Sequence, residues 1–152
     1  MKKLIIMAGI PGAGKSYTRE RLYQNVAVVD CDELKKSLKN YDPKNPMTTH
    51  NQSKILERYE IYKNFKNEIS FVYDTTATNT DKIIKMTIEA QQLGYTVIMC
   101  YVKISLETAL YRNANRPRKV PEAIILDKYS KILTSMKIAK KYVDEFITVE
   151  GE

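Results

Sequence analysis

Eight consecutive residues near the start of the chain have the types and the spacing of a phosphate-binding loop. The segment Gly9-Ile10-Pro11-Gly12-Ala13-Gly14-Lys15-Ser16 fits the pattern G-x-x-x-x-G-K-[ST] at every specified position. Its glycines allow successive backbone N–H groups to point inward around phosphate oxygens, and the N-terminus of a following helix adds positive partial charge. Lys15 is suited to bridge the β- and γ-phosphates of a nucleoside triphosphate, and the Ser16 hydroxyl is suited to ligate Mg²⁺.

The residues around this loop agree with that interpretation. An apolar run, Leu4–Ala8, comes before it and a helix-like stretch, Tyr17–Tyr23, comes after it, which is the strand–loop–helix context that the motif requires. The alternative is a glycine turn that binds nothing, and the four fixed positions in this context argue against it. We therefore expect the phosphates of ATP to contact the loop and the residue after it: Gly9, Pro11, Gly12, Ala13, Gly14, Lys15, Ser16 and Tyr17.

A carboxylate closes a second apolar run, downstream of the loop. Asp74 follows Phe71-Val72-Tyr73, and an acid in such a place can hold Mg²⁺ or a water molecule bound to it. The alternative is a turn or cap residue, because Asp commonly ends strands. We predict a metal site made by Ser16 and Asp74, directly or through water. Thr75 and Thr76 add hydroxyls that could bind the acceptor.

Asp32 is the candidate general base. Transfer of a phosphoryl group to an alcohol requires removal of the hydroxyl proton, and a positioned Asp can accept it. Asp32 ends the apolar run 26–29 and its Asp30-Cys31 extension, and Lys35 lies three residues further on, on the same helical face, where it could hold an acceptor's phosphate. The alternative for Asp32 is a helix N-cap. Asp30 is expected on the other side of the strand, away from the site.

The densest arginine cluster is Arg112, Arg116 and Arg118, followed by Lys119. Arg112 and Arg116 are four residues apart and therefore share a helical face. Arginines can stabilise the charge that spreads over the transferred phosphoryl group, and a lid that carries them can exclude water. The alternative is a solvated basic helix end. With the phosphate loop present, we predict a lid on which Arg112 and Arg116 bind ATP and contribute to catalysis.

Other residues carry weaker signals. Tyr59 and Tyr62 are expected in the core or at its rim rather than as stacking platforms for bases. His50, the one histidine, lies in a polar loop and is expected to be incidental, and Cys31 is expected to pack within a strand. The lysines of the segment 128–141 are expected to form a solvated face.

Strand-like and helix-like segments alternate along the chain. The predicted strands are Leu4–Ala8, Val26–Val29, Phe71–Tyr73, Thr96–Val102 and Phe146–Val149, and the predicted helices are Lys15–Asn25, Glu33–Asn40, Gln52–Lys66, Thr80–Leu93, Leu106–Arg112 and Pro121–Val143. The segment Asn40–Asn51, with two prolines and several Asn and Asp residues, is predicted to be a loop.

Such alternation predicts one α/β domain over residues 1–152, with a parallel sheet of about five strands and helices on both faces. Ligands of these sheets lie beyond the carboxyl ends of the strands. The phosphate loop, Asp30–Asp32, Asp74–Thr76 and the segment after Val102 should therefore meet at one edge.

Composition narrows the setting and the partners. The 152 residues are 43% hydrophobic and 28% charged, and no apolar run approaches the roughly 18 residues of a membrane span. Two cysteines without metal-ligand spacing, and a start that does not read as a secretory signal, favour a cytosolic setting. The net charge of +7 favours polyanionic partners such as nucleic acid.

In order and with similar gaps, the phosphate loop, Asp32-x-x-Lys35, Asp74-Thr75, Arg112-x-x-x-Arg116 and Val120-Pro121 resemble the 5′-kinase domain of bacteriophage polynucleotide kinases. The resemblance implies a P-loop kinase fold, with Asp32 as general base towards a 5′-hydroxyl. It further implies that Lys35 takes the place of an arginine that grips the adjacent phosphate, and that Arg112 and Arg116 belong to a lid over ATP.

Two departures bear on the acceptor. Lys35 cannot form the bidentate fork of an arginine, and no D-x-D-G-T sequence of the kind found in the phosphatase half of those enzymes is present. The expected function is an ATP- and Mg²⁺-dependent kinase of the 5′-hydroxyl of RNA or DNA, or of a nucleotide with a 3′-phosphate. One alternative is a small-molecule kinase on the same fold, similar to the zeta-toxin nucleotide-sugar kinases. A second is a non-catalytic module that uses ATP as a switch.

Overall fold

The apolar run before the phosphate loop forms the central strand of the sheet. In the computed structural model, residues 1–42, 44–45, 49–117 and 119–151 are described. Within them the strands are β1 Lys3–Ala8, β2 Ala27–Asp30, β3 Phe71–Asp74, β4 Thr96–Lys103 and β5 Glu145–Glu150. The helices are α1 Lys15–Leu22, α2 Cys31–Lys36, α3 His50–Lys66, α4 Thr80–Gln92, α5 Leu106–Ala114 and α6 Glu122–Ala139.

The strands form one sheet in the order β2-β3-β1-β4-β5, and each neighbouring pair is parallel. The strands β1, β3 and β4 are buried along nearly their whole length, which explains why their sequences are continuous apolar runs rather than alternating ones. By contrast, β5 lies at an edge and alternates exposed with half-buried residues. The predicted α/β fold with a five-stranded parallel sheet is confirmed. No helix of the described residues is long and apolar enough to cross a membrane.

The start of α2 differs from the prediction. The helix begins at Cys31, and the N-cap is Asp30, whose side chain accepts a hydrogen bond from the backbone N–H of Asp32. The expectation that Asp32 could be the cap is therefore wrong, because Asp30 keeps extended backbone dihedrals and reaches forward to the second residue of the helix. Cys31 does not pack within a strand either, and its Sγ lies 3.4 Å from the Oγ of Ser53 in α3.

The tyrosines of α3 do not lie where they were expected. Tyr59 and Tyr62 are 58% and 62% exposed, so they are not core residues. The buried residues of α3 are Ser53, Glu57, Ile61, Asn64 and Phe65. This arrangement is possible because the buried polar groups find partners, among them Glu57, which accepts a hydrogen bond from the Tyr73 hydroxyl.

The helix that was expected to start at Gln52 starts at His50, inside the predicted loop. The prolines of that loop, Pro43 and Pro46, lie outside the described residues. At the other end of the chain, α6 stops at Ala139 rather than near Val143, and turns connect it to β5. These shifts change helix lengths and leave the order of the elements as predicted.

Candidate active site

All four predicted segments meet at the edge formed by the carboxyl ends of the strands, and the segment after Val102 belongs there because the Val102 carbonyl oxygen is 2.9 Å from a Cβ built at Gly9 of the phosphate loop. Asp74 pairs in register with Met7 of β1 and with Asp30 of β2. The phosphate loop leaves this edge directly after Ala8, and α2 leaves it directly after Asp30. The parallel sheet therefore brings the phosphate loop, Asp30 and Asp74 into one region, because the strands that precede them all end there.

The phosphate loop has the backbone that its glycines predict. Gly12 and Gly14 have φ values of 88° and 90°, a left-handed region that residues with a Cβ rarely adopt. Gly14 is the N-cap of α1, no side chain of the described residues caps that helix, and its first turn contains no acid. The first N–H groups of α1 therefore face no competing side-chain acceptor, which suits them to an anion.

Lys15 lies at the centre of the charged groups. Its Nζ donates a hydrogen bond to the Gly9 carbonyl at 2.9 Å and lies 3.8 Å from Oδ1 of Asp74. Burial lowers the pKa of Lys15, the carboxylates of Asp74, Asp30 and Asp32 oppose this shift, and the charge of Arg116 adds to it. The predicted base and one predicted lid arginine thus both act electrostatically on the lysine of the phosphate loop.

The next two residues of α1 turn towards solvent. Ser16 is exposed, so its hydroxyl is accessible to a bound group. Tyr17 is exposed as well, and the Cζ of Arg21 lies 5.7 Å from the centre of its ring. A contact between Tyr17 and ATP would therefore come from its backbone N–H.

Asp74 is buried and ion-paired. Its Oδ2 accepts a hydrogen bond of 2.6 Å from Nη1 of Arg19, a residue of α1 that the sequence analysis did not single out. Burial raises the pKa of Asp74, while the charges of Lys15 and Arg19 oppose that rise. Both carboxylate oxygens of Asp74 already face cations. Asp74 is therefore better suited to accept a hydrogen bond from a metal-bound water molecule than to ligate the metal directly. No group of three or more His, Cys, Asp or Glu side chains suited to a metal occurs among the described residues, so phosphate oxygens would complete a Mg²⁺ site.

Asp30 belongs to this cluster, contrary to the expectation that it points away. Its Oδ2 lies 3.3 Å from Nη1 of Arg19, and its Oδ1 accepts the hydrogen bond from the Asp32 N–H at 2.9 Å. The expectation fails because β2 ends at Asp30 and pairs it in register with Asp74, so both side chains lie on the same face of the sheet, whereas Asp32 already belongs to α2. Asp32 itself is exposed in the first turn of α2.

His50 lies close enough to the predicted acceptor residues Lys35 and Asp32 to interact with their charges. Lys35 is only 8% exposed, and its ammonium group forms no hydrogen bond or ion pair within the described residues. Burial lowers the pKa of His50, and the charges of Lys35 and Lys54 lower it further, while Glu57 and Asp32 oppose them. His50 Nδ1 is buried without a hydrogen-bond partner in the described part of the chain. His50 therefore lies next to the predicted acceptor residues, where sequence reasoning did not expect it.

Thr75 and Thr76 support the phosphate loop through their backbones. The Thr75 N–H donates to the Met7 carbonyl at 3.1 Å, and the Gly9 N–H donates to the Thr76 carbonyl at 3.3 Å. Their hydroxyls are engaged locally, since Thr75 Oγ1 accepts from the Ala77 N–H at 3.3 Å and Thr76 Oγ1 lies 3.2 Å from Thr78 Oγ1. Contact of either hydroxyl with an acceptor remains a prediction.

The two lid arginines differ in their surroundings. Arg112, in α5, donates to the carbonyl of Gly12 at 3.0 Å and to the carbonyl of Gly151, so it braces the phosphate loop. Arg116 follows α5 in the short connection to α6, and its charge reaches Lys15. Arg112 is thus placed to position the loop, and contact of Arg116 with the transferred phosphate remains a prediction. Arg118 lies outside the described residues.

The connection that carries Arg116 is closed by an asparagine. Nδ2 of Asn113 donates to the Val120 carbonyl at 2.7 Å, and Oδ1 of Asn113 accepts from the Val120 N–H at 2.8 Å. Asn113 is buried at the end of α5. One amide side chain thus fixes both ends of the connection, a role that no sequence pattern indicated.

Comparison with known proteins agrees with this geometry. The sequence model of the zeta toxin family matches residues 1–150. A curated relative, the L-seryl-tRNA(Sec) kinase of Methanococcus maripaludis, is 24% identical over 134 residues, which cover 86% of this chain and 52% of that protein. The chain therefore spans about half the length of this relative.

Solved structures show the same fold. A structure from the PezAT toxin–antitoxin system of Streptococcus pneumoniae has a TM-score of 0.82 at 14% identity, and the match covers 99% of this chain and 68% of that one. A chain of the Pnkp1/Rnl/Hen1 RNA repair complex has a TM-score of 0.69 at 15% identity, covering 90% and 45%. At these identities the solved structures show a shared fold, and the bacteriophage polynucleotide kinases are not singled out among these matches.

Proposed function

The chain belongs to the zeta toxin family, and on that premise we propose that it is a P-loop kinase that transfers the γ-phosphate of ATP to an alcohol. One observation carries the proposal. Asp74 lies 3.8 Å from the ammonium group of Lys15 and shares the guanidinium of Arg19 with Asp30, which accepts the hydrogen bond of the Asp32 N–H. One chain of contacts therefore joins the lysine of the phosphate loop to the backbone of the proposed base, and phosphoryl transfer needs these two groups close together.

In this mechanism the N-terminal turn of α1 and Lys15 bind the β- and γ-phosphates. Asp32 accepts the proton of the acceptor hydroxyl, the oxygen forms a bond to the γ-phosphorus, and the bond between that phosphorus and the β–γ bridging oxygen breaks to release ADP. Arg116 stabilises the negative charge that spreads over the phosphoryl oxygens. Ser16, and Asp74 through a water molecule, would hold Mg²⁺, which neutralises phosphate charge when bound.

We propose that the acceptor carries a phosphate beside its hydroxyl. The observation behind this choice is Lys35, a residue of which only 8% is exposed and whose ammonium group has no ion-pair partner among the described residues, one helical turn from Asp32. An ammonium group in that place is suited to bind an anionic group of the acceptor. The 5′-hydroxyl end of RNA or DNA, or a nucleotide with a 3′-phosphate, has a phosphate close to its hydroxyl. The net charge of +7 also favours such a negatively charged acceptor.

A small phosphorylated metabolite is the second candidate acceptor. The match to the zeta toxin family favours it, because the zeta-toxin nucleotide-sugar kinases act on small acceptors of this kind. A nucleotide sugar also carries phosphate close to its hydroxyls. Lys35 provides a point charge rather than a bidentate fork, which accommodates more than one phosphate geometry. A non-catalytic ATP switch is disfavoured, since such a module needs no base opposite Lys15.

The test is an acceptor panel with ATP labelled at the γ-phosphate. The panel contains 5′-hydroxyl DNA and RNA oligonucleotides, nucleoside 3′-monophosphates and nucleotide sugars. We expect label at the 5′ end of the oligonucleotides. Label on the small acceptors alone would establish a small-molecule kinase in place of a polynucleotide kinase. Binding of ATP without transfer to any acceptor would favour the non-catalytic ATP switch.

Asp32→Asn tests the general base. We expect the rate of transfer to fall about 10²–10⁴-fold, because the hydroxyl proton loses its acceptor, while ATP binding measured by calorimetry stays within about twofold. Glu33→Gln is the matched control: Glu33 is an exposed acid in the same helical turn, paired with Lys36 at 3.4 Å. Full activity in Asp32→Asn would remove Asp32 from the mechanism.

A further inference from the structure

Asp30 connects two parts of the site through its two carboxylate oxygens. Oδ1 accepts the hydrogen bond of the Asp32 N–H at 2.9 Å, at the start of α2. Oδ2 lies 3.3 Å from Nη1 of Arg19, which belongs to α1. The same Nη1 is 2.6 Å from Oδ2 of Asp74. A continuous chain of contacts therefore runs from the helix of the phosphate loop to the backbone of the proposed base.

Burial makes this chain of contacts stiff. The side chains of Arg19, Asp30 and Asp74 are 13%, 15% and 7% exposed. Hydrogen bonds between ionised groups are shorter and stronger than neutral ones, and a half-buried charge that loses its partner is strongly destabilised. Arg19 also follows Lys15 by four residues and shares its side of α1, so the two cations keep a fixed relation to each other.

The proposed reaction depends on the distance between two elements that are not adjacent in sequence. The phosphate-binding residues belong to the start of α1, and Asp32 belongs to α2. The place of an exposed first-turn residue such as Asp32 depends on the backbone that carries it. Asp30 contacts this backbone at the Asp32 N–H, and Arg19 holds Asp30 in turn.

We propose that Arg19 and Asp30 are positioning residues: their ion pair sets the place of Asp32 relative to the phosphate loop. This inference rests on the proposed function of Asp32 as the base. In this role the pair acts through the Asp32 backbone, at the hydrogen bond from the Asp32 N–H to Asp30, rather than by contact with ATP or the acceptor. A purely structural role for the pair would affect the stability of the fold and leave the turnover of the folded protein unchanged.

Three variants separate the positioning role from ordinary helix capping. Asp30→Ala removes both the cap and the ion pair, whereas Asp30→Asn keeps an oxygen for the Asp32 N–H and removes the charge. The matched control is Asn79→Ala, because Asn79 caps α4 in the same manner, with its side chain accepting from the Lys82 N–H at 3.3 Å, and has no part in the site. Each variant is measured for kcat, for the KM of ATP and for the melting temperature.

We expect Asp30→Ala to lower kcat by about 10²-fold, since a displacement of about 1 Å at the reacting groups has that effect. The KM of ATP should stay within about twofold, and the melting temperature should fall further than in Asn79→Ala, because the ion pair with Arg19 is lost as well as the cap. The kcat of Asn79→Ala should not change. Asp30→Asn should restore part of the lost kcat. Equal kcat in Asp30→Ala, Asn79→Ala and the unmodified protein would overturn the proposal.

Arg19 is tested by repeating the Asp30→Asn substitution in an Arg19→Gln background. If the two residues act as one link, the loss of kcat caused by Asp30→Asn should be several-fold smaller without Arg19 than with it. The same loss in both backgrounds would exclude Arg19 from the link. Arg19→Gln alone is not decisive, because it also removes the partner of Asp74.

A readout without turnover keeps this test separate from the proposed function. The amide proton of Asp32, observed by NMR, should move upfield in Asp30→Ala, because it loses a charged acceptor. If no acceptor on the panel is phosphorylated but this resonance moves, the proposed function fails and the structural link stands. If the resonance does not move, the link itself is wrong. Should Asp30→Ala fail to fold, Asp30→Asn in both Arg19 backgrounds decides between the two roles.

Discussion

His50 shows how a residue without a recognisable motif can report on the site. It is the one histidine of the chain and begins α3. Burial lowers its pKa, and the positive charges of Lys35 and Lys54 lower it further. The imidazole therefore favours its neutral form, and it lies within electrostatic reach of Lys35 and Asp32, the two residues proposed to meet the acceptor.

The free energy of unfolding should depend on pH through His50. The pKa of His50 in the folded protein is lower than the 6.5 of an unfolded chain. Between these two pKa values the imidazole is mostly protonated in the unfolded chain and mostly neutral in the folded protein. Stability from the neutral imidazole is present above pH 6.5 and is lost as the pH falls through the folded-state pKa. Urea unfolding at pH 7.5 and 5.5 should show a larger loss for the unmodified protein than for His50→Gln.

NMR provides the control, because a single histidine gives an unambiguous titration. A measured imidazole pKa of 6.5 or higher would contradict the prediction. Binding of an acceptor phosphate by Lys35 should raise that pKa, since the anion offsets the charge that lowers it.

At this scale the sequence predicts the residues that belong to a contiguous pattern and misses those defined by contact. Lys15 and Ser16 follow from the loop motif, and Asp74 follows from its place at a strand end. Arg19 and His50 could not be identified, because their partners are distant in sequence. Arg19 meets Asp74 55 residues further along the chain, and such a pairing exists only once the sheet has formed.

The connection between α5 and α6 is the element that presents Arg116. Its two ends are held together by the amide of Asn113, which donates to and accepts from the backbone of Val120. A buried amide that satisfies both a carbonyl and an N–H leaves the backbone little freedom. The connection is therefore held at its base, and Arg116 emerges from a defined point near Lys15.

Asn113→Ala should lower kcat by about tenfold or more. Without the two hydrogen bonds between Asn113 and Val120, Arg116 would be less well positioned, and part of the rate enhancement of roughly 10³–10⁵ that such an arginine can provide would be lost. Asn115→Ala is the matched control: Asn115 lies in the same connection, is exposed, and donates to the Tyr111 carbonyl at 2.8 Å within its own helix end. Steady-state kinetics on both variants provide the comparison. Equal kcat values would mean that the clamp does not position Arg116.

Elements were predictable to different degrees. The strands follow from short apolar runs, and their order along the chain gave the fold class. The buried face of α3 was not predictable, because Glu57 is buried only by virtue of the Tyr73 hydroxyl and the ammonium groups of Lys54 and Lys82. Hydrophobic periodicity favoured the opposite face, where Tyr59 and Tyr62 are solvent-exposed.

On the scale of the whole molecule, the segment after β5 lies against the phosphate loop. Gly151, after β5, donates its N–H to the Lys103 carbonyl at 2.8 Å, and its own carbonyl accepts from Arg112. A Cβ built at Gly151 would lie 2.3 Å from the Ala13 carbonyl oxygen and 2.5 Å from a methyl group of Ile104. The fit is tight enough to exclude any side chain.

Gly151→Ala should therefore raise the KM of ATP, by up to about 10²-fold if the loop moves by about 1 Å. The control is Gly94→Ala, which replaces a glycine with a φ of 88° beyond the end of α4 and away from the phosphate loop. That variant should lose about 1 kcal/mol of stability or more and keep its KM. A normal KM in folded Gly151→Ala would show that the loop does not depend on this contact.

The edge position of β5 has a consequence for heat tolerance. β5 is one of the two edge strands of the sheet, its described pairing is with β4, and much of its surface faces water, so it is open to local fraying. When it frays, Gly151 leaves Ala13 and Arg112 loses one of its two carbonyl partners. Warming that frays β5 would then disturb the phosphate loop while β1 and β3 are still intact, so activity would be lost at a temperature below the melting of the core.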